Sequence, residues 1–259
     1  MMQIVFIGAG RVAVNLAQAL HTQGHGILAV YSRTMGSAEA LASLVGGMAT
    51  DDIDQLPLQA DAYIVAVKDS VLTQLVPQLA RGRAGCKVFH TAGSMPMSVF
   101  EGFFSHYGVI YPMQTFSKER LIDCSRVPFF IEASDGDTLE TARSIASSVS
   151  NSVNEMSGEK RRFLHLAAVF ACNFANHCYA LAAEVLEAHG IPFDTMLPLI
   201  EETAQKVEQM PPRQAQTGPA VRYDENVMNA HLQLLEAHPT AQEVYCLMSR
   251  SIHELTQES

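Results

Sequence analysis

Two groups of residues in this chain have the types and spacing for chemistry. The first is Gly8-Ala9-Gly10-Arg11-Val12-Ala13, placed directly after the apolar run Ile4 to Ile7 and directly before the helical pattern Val12, Leu16, Ala19, Leu20. A G-x-G-x-x-A turn between a strand and a helix suits the pyrophosphate of a dinucleotide. Gly8 permits the tight turn, Gly10 lets the backbone approach the phosphates, and Ala13 keeps helix and strand close. Ala9, Arg11 and Val12 then stand at the helix N-terminus, where free N–H groups and the helix dipole attract an anion. An ordinary strand-to-helix turn can carry the same letters, so the motif counts because of its flanks. The second group is His165, Asn173, Asn176 and His177, polar residues in an otherwise apolar helical stretch from Glu159 to Glu187. Phe163, Phe170, Phe174, Leu181 and Val185 fall on one stripe at about 100° per residue. His165, Val169, Cys172, Asn176 and Ala183 fall on the opposite one. A helix so apolar is expected to be covered on most sides, and its polar residues then need partners. Beside a nicotinamide, His165 can exchange a proton with a substrate hydroxyl or amine, and Asn173 can hold a carbonyl oxygen. The same residues also suit satisfied core positions or contacts across a dimer interface.

The surrounding segments supply the rest of such a site. The run Ile27 to Tyr31 reads as a second strand ending in Ser32-Arg33-Thr34. NAD-binding folds place a carboxylate there for the adenosine 2′-hydroxyl. Here the next acidic residue is Glu39, and Arg33 with its hydroxyl neighbours Ser32 and Thr34 suits a 2′-phosphate. The expected cofactor is NADP, with NAD possible. Strand Ala62–Val67 ends at Lys68, so Val67 and Lys68 should border the cofactor. Lys87–His90 leads into Thr91-Ala92-Gly93-Ser94. Thr91 and Gly93 are expected around the nicotinamide, and Ser94 on the substrate side. Val109–Tyr111 leads into Pro112–Ser117, which offers Gln114 to a substrate, as Asn176 would from the long helix. Phe129–Glu132 and Val153–Met156 complete the sheet. Asp137 is the expected N-cap of a helix from Leu139 to Val149.

These signals define an α/β dinucleotide-binding domain over residues 1–156 and an all-α substrate and dimerisation domain over residues 157–259. The second domain should contain a helix from about Ser157 to Ala188, one from Pro192 to Gln209, and two more near 225–236 and 240–255. A catalytic cleft between the two domains is expected. In the loop 216–224, Arg222 can grip an anionic substrate or brace the loop through Asp224. His231 can point to the same place.

Hydrophobic residues make up 48% of the 259 and charged residues 17%, enough for sizeable cores. A net charge of −10 argues against a nucleic-acid partner, which needs a basic face. No apolar run reads as approaching a membrane span, and no signal peptide precedes the first strand. A soluble, cytoplasmic protein without membrane partners is expected. The five cysteines form no C-x-x-C pair and read as small core residues of a protein in a reducing compartment. The ten histidines show no metal-binding spacing, so no metal is expected.

Gly8 to Ala13, Tyr111 to Ser117, His165, Asn173, Thr217 to Asp224 and His231 together resemble the Rossmann-like oxidoreductases whose C-terminal domain is catalogued as a domain of unknown function. The resemblance covers essentially the whole chain. More distantly, the chain is similar to the 6-phosphogluconate dehydrogenase-like superfamily, with ketopantoate, prephenate and pyrroline-carboxylate enzymes among its members. The resemblance implies an NAD(P)-binding domain and a helical domain that often forms a homodimer, and with the residues above the leading expectation is an NADP-dependent oxidoreductase transferring hydride to or from a small anionic metabolite. Superfamily members often use a lysine on the long helix. Here Lys160 comes too early, and His165 takes that kind of place. Relatives often have histidine where this chain has Tyr111. These departures keep open a nucleotide-binding or sensing protein without catalysis, and a flavin or deazaflavin partner enzyme.

Overall fold

The computed structural model describes residues 1–118 and 120–257. The run that reads as a buried strand is β1 (Gln3–Ile7), with Ile4, Val5, Phe6 and Ile7 fully enclosed. Each such side chain contributes roughly 1.5–3 kcal/mol on leaving water. Around β1 the chain builds α1 (Arg11–Thr22), β2 (Gly26–Tyr31), α2 (Met35–Val45), β3 (Met48–Thr50), β4 (Ala62–Val65), α3 (Asp69–Leu79), β5 (Lys87–His90) and β6 (His106–Pro112). Then follow β7 (Phe129–Ala133), α4 (Gly136–Val149) and β8 (Val153–Glu155). They form one sheet in the order β3-β2-β1-β4-β5-β6-β7-β8. All neighbouring pairs are parallel except β6 with β7. The order reverses between β1 and β4, which opens a crevice at the carboxyl ends of these strands. Both sheet faces are covered, one by a cluster around Phe6, Leu16 and Ile145, the other by one around Tyr63, Leu72 and Phe100. The fold is therefore Rossmann-like over residues 1–155, with helices beyond.

Those helices are α5 (Gly158–Ala168), a π-helical segment (Val169–Phe174), α6 (Ala175–Glu187), α7 (Leu197–Gln209), α8 (Pro212–Ala215), α9 (Glu225–Leu234) and α10 (Pro239–Gln257). By internal contacts the chain falls into two compact units, Met1–Asn173 and Phe174–Ser259. The first unit thus includes α5 and most of the π-helical segment. In the second, His231 shares a hydrogen bond with the Tyr245 hydroxyl at 2.9 Å, and the Asp224 carboxylate accepts from Val227 N to cap α9.

Several details depart from the sequence reading. β3 is short and has no alternation to announce it. The N-cap of α4 is Asp135, not Asp137: its carboxylate accepts from Thr138 N at 2.9 Å, and the helix starts at Gly136. Asp137 instead pairs with Lys87 at 2.7 Å. Of the five unpaired cysteines only Cys124 is buried. The long helix is not covered by the described residues: Arg161 is its one buried residue, and Phe163 is 68% exposed. Gly158–Glu187 spans 30 residues with an 18-residue window of mean hydropathy 1.3, long and apolar enough to cross a membrane by length and composition.

The end of β5 is shaped by His90, which is fully buried. Its Nδ1 accepts from Ala92 N at 3.1 Å, so Nε2 carries the hydrogen toward Pro96 O at 3.3 Å. The ring staples the turn 91–96 that carries Gly93 and Ser94. Burial, with the Arg161 charge adding to it, pushes the His90 pKa down from 6.5 to about 3.

Two outcomes follow. Asp135→Ala should lower the unfolding free energy by about 1 kcal/mol and Asp137→Ala by less, as an exposed ion pair contributes little. Urea denaturation of both variants checks this, and the reverse order would contradict the cap assignment. In the unfolded chain His90 takes a proton below pH 6.5, while in the folded protein it stays neutral to about pH 3. Native stability from this residue therefore falls by about 1.4 kcal/mol per pH unit as pH drops through that window. The stability gap between wild type and His90→Gln should narrow with acidification. A gap that is constant or widens would refute the neutral, buried ring.

Candidate functional site

The turn from β1 to α1 is a cradle that side chains leave empty. Gly8 has φ of +110°, and a Cβ there would lie 2.3 Å from Ala66 O, at the end of β4. Only glycine permits both the backbone angle and the approach. Gly10 is the exposed N-cap residue of α1 and makes no side-chain cap, and the first turn holds no acidic residue. The helix N-terminus is thus open to an anion. Gly8, Ala9, Gly10, Ser32, Arg33, Thr34, Val67 and Lys68 line one cavity of about 450 Å³. Among the described residues three basic side chains line it and no acidic one, the third being Lys118. Ser32 N donates to Thr50 O at 3.1 Å, which fixes the loop, and Thr34 Oγ1 bonds Ser37 Oγ at 2.9 Å. Arg11 and Val12 open α1. An empty turn, a free helix end and a cationic, hydroxyl-rich far wall fit a dinucleotide carrying an extra phosphate.

A second cavity, of about 540 Å³, lies against α5 and the π-helical segment. His165, Asn173, Cys172, Gln114, Thr115 and Tyr111 line it, all within the first unit. His165 Nδ1 lies 3.2 Å from the Tyr111 hydroxyl, with the rings edge to face. Gly93 presses against both: a Cβ there would lie 2.7 Å from His165 Nδ1 and 2.8 Å from Tyr111 Cζ. The turn after β5, the end of β6 and the long helix therefore meet at one point. The Tyr111 hydroxyl is pushed up by burial, against a smaller opposing pull from Arg161, so it stays protonated at neutral pH. The π turn, at residues 169–174, widens the helix where it borders this cavity, a distortion frequent at functional sites.

Arg161 fixes His165, one turn further along α5. Its side chain is fully buried, donating from Nη1 to Glu132 Oε2 and from Nη2 to Met95 O, both at 2.7 Å. Glu132 Oε1 accepts from Gly158 N at 2.9 Å. One ion pair thus ties the start of α5 to β7 and to the turn after Gly93. Breaking such a pair leaves a buried charge and costs about 3–5 kcal/mol.

The sequence-derived cofactor residues split between two places. Those at the ends of β1, β2 and β4 share the first cavity. Thr91 is buried, its N–H on Val65 O at 3.2 Å, and Gly93 touches the His165 pair. Ser94 donates its hydroxyl to the Asp69 carboxylate across the ends of β4 and β5. His165, Asn173 and Gln114 come together in the second cavity. Asn176 and Arg222 belong to the second unit, where both are exposed. Tyr111, Arg161, Ser37 and Lys118 escaped the sequence reading. Arg161 stands between Lys160 and Arg162, so nothing in the sequence set it apart as the buried one. Tyr111 had no signal beyond standing where relatives often carry histidine.

Comparison with known proteins agrees with this architecture. Residues 1–111 match the model of a Rossmann-like domain, and residues 127–252 that of a domain of unknown function, DUF2520. A search of curated proteins gives no match. A crystal structure from Bacteroides fragilis, provisionally assigned as an NADP oxidoreductase, is 52% identical, with 98% of each chain covered and a TM-score of 0.95. An imine reductase from Myxococcus stipitatus, solved with NADP+, is 18% identical over 99% of this chain and 95% of that one, with a TM-score of 0.69. A pyrroline-5-carboxylate reductase from Coxiella burnetii is 19% identical over 98% and 97%, with a TM-score of 0.59. The two distant likenesses show the fold alone. At 52% identity over nearly its full length, the chain belongs to the same family as the Bacteroides protein, a Rossmann-like domain followed by the DUF2520 domain.

Proposed function

We propose that this protein is an NADP-dependent oxidoreductase that interconverts a C=O or C=N group and its reduced form on a small anionic metabolite. One observation carries the reading: the uncapped Gly8–Gly10 turn opens onto a cavity with Arg33, Ser32, Thr34 and Ser37 and, among the described residues, no carboxylate. A 2′-phosphate is matched by that wall, whereas a bare ribose calls for an acid. The Bacteroides relative, described as an NADP oxidoreductase, supports the same choice.

When bound, the nicotinamide supplies or accepts two electrons and a hydrogen at its C4 position. The chain's own residues manage the proton. His165 Nε2 delivers it to the substrate heteroatom, and the Tyr111 hydroxyl replaces it through Nδ1. The Arg161 charge, which partly offsets the rise that burial gives the Tyr111 pKa, steadies the phenolate until solvent restores the proton. Asn173 and Gln114 offer amides to hold the substrate oxygen or nitrogen in place. Arg11, Arg120 and Arg126, against one carboxylate among the described residues, Asp123, line an adjoining cavity that shares Gln114 and Thr115 with this one, and this excess of positive charge supports an anionic substituent. A second copy of the chain is the proposed cover for the apolar helix, whose Phe163 and Leu166 are 68% and 53% exposed. The exposed cysteine Cys246 suits a reducing, cytoplasmic setting.

Arg33→Asp should weaken NADPH at least tenfold more than NADH in fluorescence titrations. Equal loss of both would count against the phosphate role. In a panel of 2-oxo acids, cyclic imines and alcohols, His165→Ala should lower kcat by about 10²-fold or more with nucleotide affinity intact. Tight binding with no turnover by the wild type would favour a nucleotide-sensing protein instead. Sedimentation equilibrium should give twice the 28.2 kDa chain mass, and a monomer would remove the proposed cover.

A further inference from the structure

Asn15 stands on the buried face of α1, between Val14 and Leu16, and is 3% exposed. An amide at such a position destabilises the fold unless its donors and acceptor are met. They are met by backbone. Nδ2 donates to Arg11 O at 3.0 Å, one turn back, and to Ser117 O at 2.8 Å. Oδ1 accepts from Ile122 N at 3.1 Å. One side chain therefore grips the β6–β7 connection at two points. Phe116, just before the first grip, is buried, and Ile122 packs on the core. Lys118 directly follows the first grip and lines the dinucleotide cavity beside Gly8, Gly10 and Arg33.

The electrostatics of this end of α1 point to an anion. Arg11 begins the helix, no acidic residue occupies its first turn, and Lys118 lines the cavity onto which the Gly8–Gly10 turn opens. A helix N-terminus with no acidic residue in its first turn attracts an anion. Ser117 is fastened to the first two turns of α1, through Asn15 and hence Arg11 O, rather than to the end of β2 where Arg33 lies.

On the reading that this cavity holds a dinucleotide, we propose that Lys118 is a cofactor-binding residue for the pyrophosphate, held in place by Asn15. Lys118 then serves NADP and NAD alike, whereas Arg33 distinguishes them.

Titration of the full-length protein with NADPH and NADH, by nucleotide fluorescence at low and high salt, tests this. Lys118→Ala should weaken both nucleotides by about tenfold, to a similar degree, and less at high salt. Lys118→Arg should restore most of the affinity. Asn15→Ala should cause a comparable loss, and Asn15→Ala with Lys118→Ala together should bind no more weakly than Lys118→Ala alone. Should Asn15→Ala fail to fold by circular dichroism, Lys118→Glu decides the matter, with a loss larger than that of Lys118→Ala. Unchanged affinity in Lys118→Ala, loss confined to NADPH, or additive losses in the double variant would overturn the proposal while leaving the dinucleotide reading intact. A wild type that binds neither nucleotide would overturn both.

Discussion

The close approach of Gly8 to the Ala66 carbonyl is the constraint on which the rest depends. At 2.3 Å from an imagined Cβ, no side chain fits between the ends of β1 and β4. These are the strands where the sheet order reverses. Because they meet backbone to backbone, α1 can start at once and present its uncapped N–H groups over the crevice. The fully enclosed run Ile4 to Ile7 supplies the packing that holds this turn rigid. Ordinary strand burial thus sustains a backbone shape that a more loosely packed sheet edge would not keep.

A second fixed point lies at the other side of the sheet. The Arg161–Glu132 pair joins the long helix to β7, and through Met95 O to the turn after β5. Glu132 also receives the first N–H of that helix. A buried ion pair of this kind adds little net stability, but it defines one register strictly, because any other leaves a charge unmet. One turn later that register sets His165 against Tyr111 and Gly93. His90, neutral and doubly bonded, shapes the same turn from below. The histidine of the proposed chemistry is therefore held by a buried ion pair and a neutral ring that do not line its cavity.

Much of this was legible in the residues. Strand runs such as Ile4–Ile7 and Ala62–Val65 are apolar on both faces, which marks a covered parallel sheet, and glycine spacing marked the turn. Arg33 could be read because the position it occupies has a known chemical job. What escaped was long-range or local in ways that period and composition do not carry. Asp135 and Asp137 are both plausible caps by type, and the choice between them rests on where the strand before them lets go. The π turn at 169–174 adds no unusual residue. The exposure of Phe163 was inverted, since an apolar stripe states only that something covers it. Asn15 and Tyr111 acquire their meaning from distant segments, Asn15 from Ser117, 102 positions on, and Tyr111 from His165, 54 positions on, and no short window of sequence contains either pairing.

The central claim is that a pyridine dinucleotide lies across the β1–α1 turn. Amide chemical shifts of the isotopically labelled protein, followed during titration with NADP+, test it most directly. The account predicts saturable changes, largest at the amides of residues 8–13 and 32–34 and at the side chain of Arg33. Saturation with those amides unmoved, or no change at millimolar nucleotide, would contradict it.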